Sequence, residues 1–225
     1  MAKNQTEQEI RQQNVAEAVS KTEEFLNEHK NIIYWCTLAV LVVALGILAF
    51  VKFYVQPRRV EAQAEMFHAE QWFQSEDYAL ALEGDDNYLG FADIASKYGK
   101  AAGESVYLYA GICALRTGAP EDALKYLRKY NGKDNILLGR AEALKGDCCV
   151  ELEDYAAALS HFEKAAKISN NAFSAAYLLK AGVTAEKLGD NAKALALYKE
   201  IKDQHADTFE AMEIDKYIAR IEIAE

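Results

Sequence analysis

Twenty consecutive residues of this chain, Ile32 to Val51, carry no charged side chain. An α-helix of that length extends roughly 30 Å, which is the thickness of the hydrocarbon core of a lipid bilayer. Twelve of the twenty residues are leucine, isoleucine, valine or phenylalanine, and these side chains favour insertion into the bilayer. Tyr34 and Trp35 at one edge and Phe53 and Tyr54 at the other are typical of membrane interfaces. The segment therefore predicts one membrane-spanning helix, with lipid around residues 32–51.

Two other interpretations of this segment are weaker. A core helix of a soluble protein rarely runs this far without a polar residue. A cleaved signal peptide has a short basic start and an apolar core of about 7–15 residues, whereas here about thirty residues precede a longer core. Positive residues do not decide the orientation, because each flank has three: Arg11, Lys21 and Lys30 before the segment, and Lys52, Arg58 and Arg59 after it.

The residues before the anchor form a polar arm, residues 1–30. Thr6 and Glu9 have the spacing of a capping box, so a helix is expected to begin near Thr6. Its apolar stripe is thin. A solvated or surface-lying helix is therefore favoured, and a docking site for a partner stays open as the alternative.

The residues after the anchor are acidic and favour helices. Residues 1–55 hold five Lys and Arg and six Asp and Glu, a charge of −1, so the remaining 170 residues carry −9 of the total −10. Such a domain repels nucleic acid, and no basic stripe offsets this. Only two prolines occur, and no alternating β-branched run predicts a strand. The composition thus predicts an all-α protein that does not bind nucleic acid.

The chain lacks the common sequence motifs of enzyme active sites and metal sites. It contains no G-x-S-x-G, no P-loop and no H-E-x-x-H motif. Its four cysteines have no metal-ligand spacing and are expected to be small core residues. The histidines are scattered, and His161 is expected to be exposed. We therefore expect no catalytic residue, no cofactor and no metal site.

A pattern of small residues recurs three times in the second half of the chain, at spacings of 35 and 36 residues. Its glycines are Gly111, Gly146 and Gly182; alanines follow twelve residues later at Ala123, Ala158 and Ala194; and aromatic residues follow four later at Phe162 and Tyr198. The pattern resembles the tetratricopeptide repeat, a pair of antiparallel helices with a 34-residue period. Small residues are expected where the two helices meet, with each aromatic ring filling the gap toward the following repeat.

These observations predict an anchor followed by a tetratricopeptide-type α-solenoid. The predicted segments are an arm at 1–30, a transmembrane helix at 31–55, a repeat domain at 56–225 with repeats near 61–84, 104–137, 139–172 and 175–206, and a capping helix at 207–223. Pro57 is expected to break the helix after the anchor. The first repeat is a weaker copy, with Trp72 where the others have Ala or Cys, and it is followed by an extra helix near Gly90 to Tyr98.

The capping helix is predicted to have one apolar face. Its stripe is Phe209, Met212, Tyr217, Ile218 and Ile221, while Glu210, Glu213, Lys216 and Arg220 are expected to face away.

A partner-binding groove is expected along the first helices of the repeats. The predicted lining is Leu108, Ile112, Leu115, Leu179 and Val183, with Arg140, Ala143 and Asp147 between them. Because these positions are mostly apolar, the groove is expected to hold amphipathic or extended segments and not a terminal carboxylate. The alternative is that the segment Val60 to Phe73, or the capping helix, fills the groove.

The whole chain resembles the ancillary SecYEG translocon subunit family of bacterial inner membranes (YfgM-type). Part of the resemblance lies in the anchor and its flanking segments, Glu24 to Lys30 before it and Arg59 to Ala64 after it. The other part is the motif Leu144-Lys145-Gly146-Asp147 together with Ala158 and Phe162. Two departures from the repeat pattern are Lys145, which replaces a usual apolar residue, and the missing proline at the end of each repeat.

This resemblance implies a single-pass protein with a cytoplasmic N-terminus and periplasmic repeats. It further implies association with the SecYEG translocon and with periplasmic chaperones. A periplasmic adaptor for cell-envelope assembly or division is the alternative, and an enzyme is a remote one.

Overall fold

The computed structural model describes residues 28–32 and 34–224, and every regular element in that part of the chain is helical. One isolated backbone bridge joins Gly84 and Leu89. The predicted all-α class is therefore confirmed for the described residues. The predicted helix of the arm lies outside them, apart from residues 28–30, which are helical. The chain divides into two compact units at the junction of Pro57 and Arg58.

The first unit contains the apolar helix α1, residues 28–32 and 34–50, and a π-helical turn, Val51–Val55. The apolar window of this helix has a mean hydropathy of 2.6, and none of it is buried. A core helix of a soluble protein would instead be mostly buried. The helix is thus long and apolar enough to cross a membrane.

Pro57 does not end the helix as predicted. It lies in the first turn of α2, Gln56–Gln74, and the π-helical turn comes immediately before it. Proline has no N–H to donate to the preceding turn and its ring crowds that turn, and a π-helical turn is a common local change where this happens inside a helix. Proline at this point therefore changes the helical geometry without terminating the helix.

The second unit is a series of antiparallel helices. After α2 come α3 (Tyr78–Glu83), α4 (Phe91–Tyr98), a 3₁₀-helix (Gly99–Ala102), α5 (Ser105–Arg116), α6 (Pro120–Lys129), α7 (Asn135–Glu151), α8 (Tyr155–Ser169), α9 (Phe173–Lys187), α10 (Asn191–Gln204) and α11 (Phe209–Ala224). Each helix from α5 to α11 packs on the next. Aspartate side chains cap the N-termini of α3, α7, α8 and α10 by accepting a backbone N–H bond.

The glycine of each repeat faces a bulky side chain sixteen residues later. An added Cβ at Gly146 would lie 2.5 Å from the Phe162 ring, and one at Gly182 would lie 2.2 Å from the Tyr198 ring. The rings therefore pack against their own repeat's glycine. Each ring also faces the element that follows, which is the place predicted for it: Phe162 lies against Lys180 of α9, and Tyr198 lies against Tyr217 of α11. In the first full repeat the same position is held by Leu127, 2.7 Å from a Cβ at Gly111. The three alanines that follow these glycines by twelve residues are fully buried beside the contacts: Ala123, Ala158 and Ala194.

The extra helix between the first two repeats is α4, and it packs on α3 and α5. Phe91 at its start is fully buried and stacks on Tyr109 of α5, with ring centroids 5.0 Å apart. Phe73 from α2 meets the same Tyr109 ring at 4.9 Å. The outer side of α5 is consequently covered by α2 and α4.

Helix α11 packs on α9 and α10 by a face that differs from the predicted stripe. Ile214, Ile218 and Ile221 are buried, whereas Phe209 and Met212 are 72% and 77% exposed. A helix turns 100° per residue, so the buried residues at positions 214, 218 and 221 share one face and positions 209 and 212 lie on the opposite one.

Arg220 also departs from the prediction that it faces away. Its Nη2 donates to Glu186 Oε1 of α9 at 2.6 Å, and Tyr198 of α10 donates to the same oxygen at 2.5 Å. This carboxylate therefore joins α9, α10 and the capping helix.

The glycine contact generates a stability prediction. Gly146→Ala places a methyl group against the Phe162 ring and should lower the free energy of unfolding by about 1–3 kcal/mol, because an overpacked helix pair must separate. The measurement is a denaturant or thermal melt of the full chain in detergent. In the double variant Gly146→Ala/Phe162→Leu the smaller side chain makes room, so its loss should be less than the sum of the two single losses. A Gly146→Ala melt equal to that of the parent would contradict this contact.

Candidate partner-binding groove

An inner cleft runs across the first helices of three repeats. It has a volume of about 480 Å³. Its lining comes from α5, α7 and α9, the helices that the sequence assigned to the groove: Leu115, Arg116, Arg140, Ala143, Leu144, Asp147, Val150, Glu151, Tyr177 and Lys180. Consecutive first helices therefore do present one continuous surface in this unit.

A second, more apolar cleft of about 390 Å³ lies beside it. Its lining combines α7, α8, α9 and α11: Asp147, Val150, Tyr155, Phe162, Leu179, Lys180, Val183, Thr184, Lys187 and Tyr217. Asp147, Val150 and Lys180 line both clefts. The two clefts thus adjoin along this shared edge.

The five predicted groove residues do not form one surface. Leu115 lines the inner cleft, while Leu179 and Val183 line the apolar cleft. Ile112 is half-buried, and Leu108 is only 7% exposed. Neither Leu108 nor Ile112 lines either cleft. Helix α5 packs against α3, α4, α6 and α7, and the sequence did not show which of its residues these contacts would bury.

The inner cleft is more polar than the predicted lining. It contains three cations, Arg116, Arg140 and Lys180, and two carboxylates, Asp147 and Glu151, which leaves one net positive charge in a strongly acidic domain. Arg116 and Lys180 were not among the predicted residues. Helical spacing could have found Lys180, because it lies three residues before the predicted groove residue Val183 on the same helix.

An ion pair crosses from α7 to α9 at the shared edge of the clefts. Lys180 Nζ donates to both carboxylate oxygens of Asp147, at 2.6 and 2.8 Å, and lies 5.5 Å from the centre of the Phe162 ring. The lysine thereby neutralises Asp147 and holds neighbouring repeats together. Burial raises the pKa of Tyr177 on the same helix, while nearby Arg140 acts to lower it, so the phenol keeps its proton at neutral pH and can donate to an acceptor in the cleft.

A buried carboxylate also joins α7 to α8. Glu142 is 7% exposed and accepts hydrogen bonds from His161 Nδ1 at 2.9 Å, Lys145 Nζ at 2.9 Å and Lys164 Nζ at 3.0 Å. The Glu142 cluster explains the unexpected lysine at position 145. His161 is half-buried in this cluster, contrary to the expectation of an exposed histidine.

The electrostatics of Glu142 are dominated by two opposed effects. Burial by itself would raise its pKa, but the bonds from His161, Lys145 and Lys164 favour the ionised form and bring its pKa down to about 2. The carboxylate is therefore charged at every physiological pH. Because all its donors belong to α7 and α8, its evident role is to hold that helix pair.

The cysteines of the repeat unit are buried as expected, whereas Cys36 of α1 is exposed, contrary to the expectation that all four are small core residues. The four cysteines are free, and Cys113, Cys148 and Cys149 are buried. Burial raises the pKa of Cys113 and of Cys148 to about 12, so both are protonated thiols and poor nucleophiles. Among the described residues no group of three or more His, Cys, Asp or Glu side chains is placed to hold a metal ion.

Comparisons with known proteins agree with this architecture. Residues 176–208 match the family model described as Tetratricopeptide repeat. No curated protein matches the sequence significantly. The crystal structure of MamA aligns with 68% of this chain and 91% of its own chain, at a TM-score of 0.52 and 17% sequence identity. This likeness shows the fold: the repeat unit is a tetratricopeptide-type α-solenoid, an architecture that serves as a protein-interaction scaffold and is generally not enzymatic.

The Glu142 cluster predicts a specific pH dependence. The pKa of Glu142 is lower in the folded state than its ordinary value of 4.5, so its stabilising effect is complete above about pH 4.5 and is lost as pH falls toward 2. Glu142→Gln should lower the free energy of unfolding at neutral pH by about 1–3 kcal/mol. The difference from the parent should shrink steadily between pH 4.5 and 2, as measured by denaturant melts. Glu83→Gln, at an exposed glutamate, is the control and should show no such convergence; a parallel pH profile for Glu142→Gln would contradict the prediction.

Proposed function

We propose that this protein is a membrane-tethered scaffold that binds other proteins through its repeats. The observation that carries the proposal is the combination of an unburied apolar helix with a solenoid whose clefts are open to solvent. The uncleaved helix α1 holds the chain in the bilayer, and the solenoid supplies the binding surface. The proposed role is not enzymatic, since a repeat solenoid offers surface and not a reactive pocket.

The two clefts favour a particular kind of partner. The apolar cleft supplies Leu179, Val183 and Tyr217 for apolar side chains, while Arg116 and Arg140 in the inner cleft offer cations to carboxylates. A helical or extended segment with apolar residues along one side and acidic residues along the other satisfies both. The partner we propose is therefore an amphipathic segment that carries acidic residues.

The identity of the partners rests on resemblance. The chain resembles the ancillary SecYEG translocon subunits in the segments on either side of the anchor and in the Leu144-Lys145-Gly146-Asp147 motif. We therefore propose that the chain lies in a bacterial inner membrane, with a cytoplasmic N-terminus and periplasmic repeats, and links the SecYEG translocon to periplasmic chaperones. The second candidate is a periplasmic adaptor for cell-envelope assembly or division, which would use the same clefts with other proteins.

Copurification tests the partner and the surface together. The full chain, isolated in mild detergent, should recover SecY or a membrane-anchored chaperone. Leu179→Ser/Val183→Ser should reduce that recovery about tenfold, because it removes apolar area from the cleft. These residues are the targets because Val183 is 38% exposed, whereas substitution of the predicted groove residue Leu108, which is buried, would damage the core.

The matched control is Ile136→Ser/Leu137→Ser, which removes similar exposed side chains at the start of α7, outside both clefts. It should leave recovery unchanged, and both variants should melt as the parent does. A well-folded Leu179→Ser/Val183→Ser variant with full recovery would eliminate this surface. Recovery of outer-membrane or division proteins in place of SecY would favour the adaptor.

The proposed orientation has its own test. Protease added to spheroplasts should digest the repeat unit and spare the arm before α1, because only the periplasmic side is accessible. Immunoblots with tags at either end measure the fragments, and a cytoplasmic marker protein that survives intact shows that the inner membrane is closed. Repeats that survive until the membrane is permeabilised would show the opposite orientation.

A further inference from the structure

Positive charge is segregated in the first part of the repeat unit. Residues 60–96 contain nine Asp and Glu and not a single Lys or Arg. The four cations between residues 58 and 104 are Arg58, Arg59, Lys97 and Lys100. They therefore form two pairs that are separated along the chain by an acidic stretch of 37 residues.

The fold brings the two pairs together. Arg58 Nη2 donates to the backbone carbonyl of Lys97 at 2.6 Å, in the last turn of α4. Lys100 follows in the adjoining 3₁₀-helix. Arg59, Lys97 and Lys100 all have exposed side chains, so their ammonium and guanidinium groups reach solvent. We call Arg58, Arg59, Lys97 and Lys100 the basic corner.

Two carboxylates accompany the basic corner without cancelling it. Glu61 Oε1 lies 3.7 Å from Lys97 Nζ and accepts a hydrogen bond from Tyr98 at 2.8 Å, and Glu65 is the next acid along α2 that acts on Lys97. Four cations against two anions leave the corner positive. At the other end of α2, about 28 Å away along a 19-residue helix, the chain continues with Glu76 and Asp77, and Arg116 of α5 lies near them against the Tyr78 ring. Helix α2 therefore has a positive end and a negative end.

The positive end is the one that adjoins the anchor in sequence. Arg58 follows the last residue of the apolar segment, Val51, by only seven residues. If the apolar segment spans the membrane as proposed above, this short separation keeps the basic corner near the lipid headgroups. Cations near an anionic membrane surface each strengthen binding by about fivefold, and the effect is lost beyond a Debye length.

We propose that the basic corner binds the phosphate groups of anionic lipids and so orients the repeat unit on the membrane. This inference rests on the proposed tether. The net charge of the domain would otherwise repel an anionic surface, so contact through this corner keeps the acidic residues at the far end of α2 away from the bilayer. The clefts of the later repeats are then held in a defined direction for partners.

The test uses the full chain reconstituted in nanodiscs of phosphatidylcholine, alone or mixed with phosphatidylglycerol. Hydrogen exchange of the backbone amides of residues 97–104, read by mass spectrometry, should slow by at least about fivefold in the anionic discs, and high salt should abolish the slowing. Arg59→Gln/Lys100→Gln should lose the effect. This variant keeps Arg58 and Lys97, whose contacts hold α4 in place.

The control variant Lys125→Gln/Lys129→Gln makes the same charge change at exposed positions of α6 and should keep the full slowing. Exchange that is the same in neutral and anionic discs would overturn the lipid site while leaving the tether intact. A chain that does not insert into any disc would instead overturn the tether. Slowing in neutral discs on addition of inorganic phosphate alone would overturn the assignment to lipid.

Discussion

The distance between the two helices of each repeat controls the rest of the structure. At Gly146 and Gly182 the missing side chain lets an aromatic ring from the second helix lie directly on the backbone of the first. A close approach of this kind buries Ala158 and Ala194 completely, and it fixes the angle at which the next repeat stacks. The inner cleft and the apolar cleft both lie where helices of successive repeats stack.

The extra helix α4 breaks the regularity of the repeats and changes what α5 can offer. With Phe91 and Phe73 packed on Tyr109, the outer side of α5 is core, and the exposed clefts begin only toward its C-terminal end at Leu115. The same helix ends against Arg58, so the first residue of the second unit also holds the insertion in place. One insertion thus determines both where the binding surface begins and where the positive charge collects.

Charged side chains in this solenoid serve mainly to join helices. Glu142 joins α7 to α8, Glu186 joins α9 to α10 and α11, and the Asp147–Lys180 pair joins α7 to α9. Glu142 is buried, and Glu186 and Asp147 are partly buried, so these carboxylates favour the one arrangement of the helices in which their donors are present. Arg116 and Arg140 take no part in these three links and line the inner cleft.

The sequence by itself determined the long apolar helix near the N-terminus, the all-α class and the recurring Gly–Ala spacing of the repeats, because each depends on local composition or on a spacing that helical geometry imposes. It also placed the groove on the first helices of the repeats. Only the tertiary structure decided which groove residues are accessible, because the packing of neighbouring helices buries Leu108 and leaves Arg116 in the lining of the inner cleft. Burial on α11 differed for the same reason, since Phe209 and Ile214 are equally apolar and only contact with α9 and α10 distinguishes them. Periodicity shows that a helix has an apolar face, but the neighbouring helices decide which residues of that face are buried.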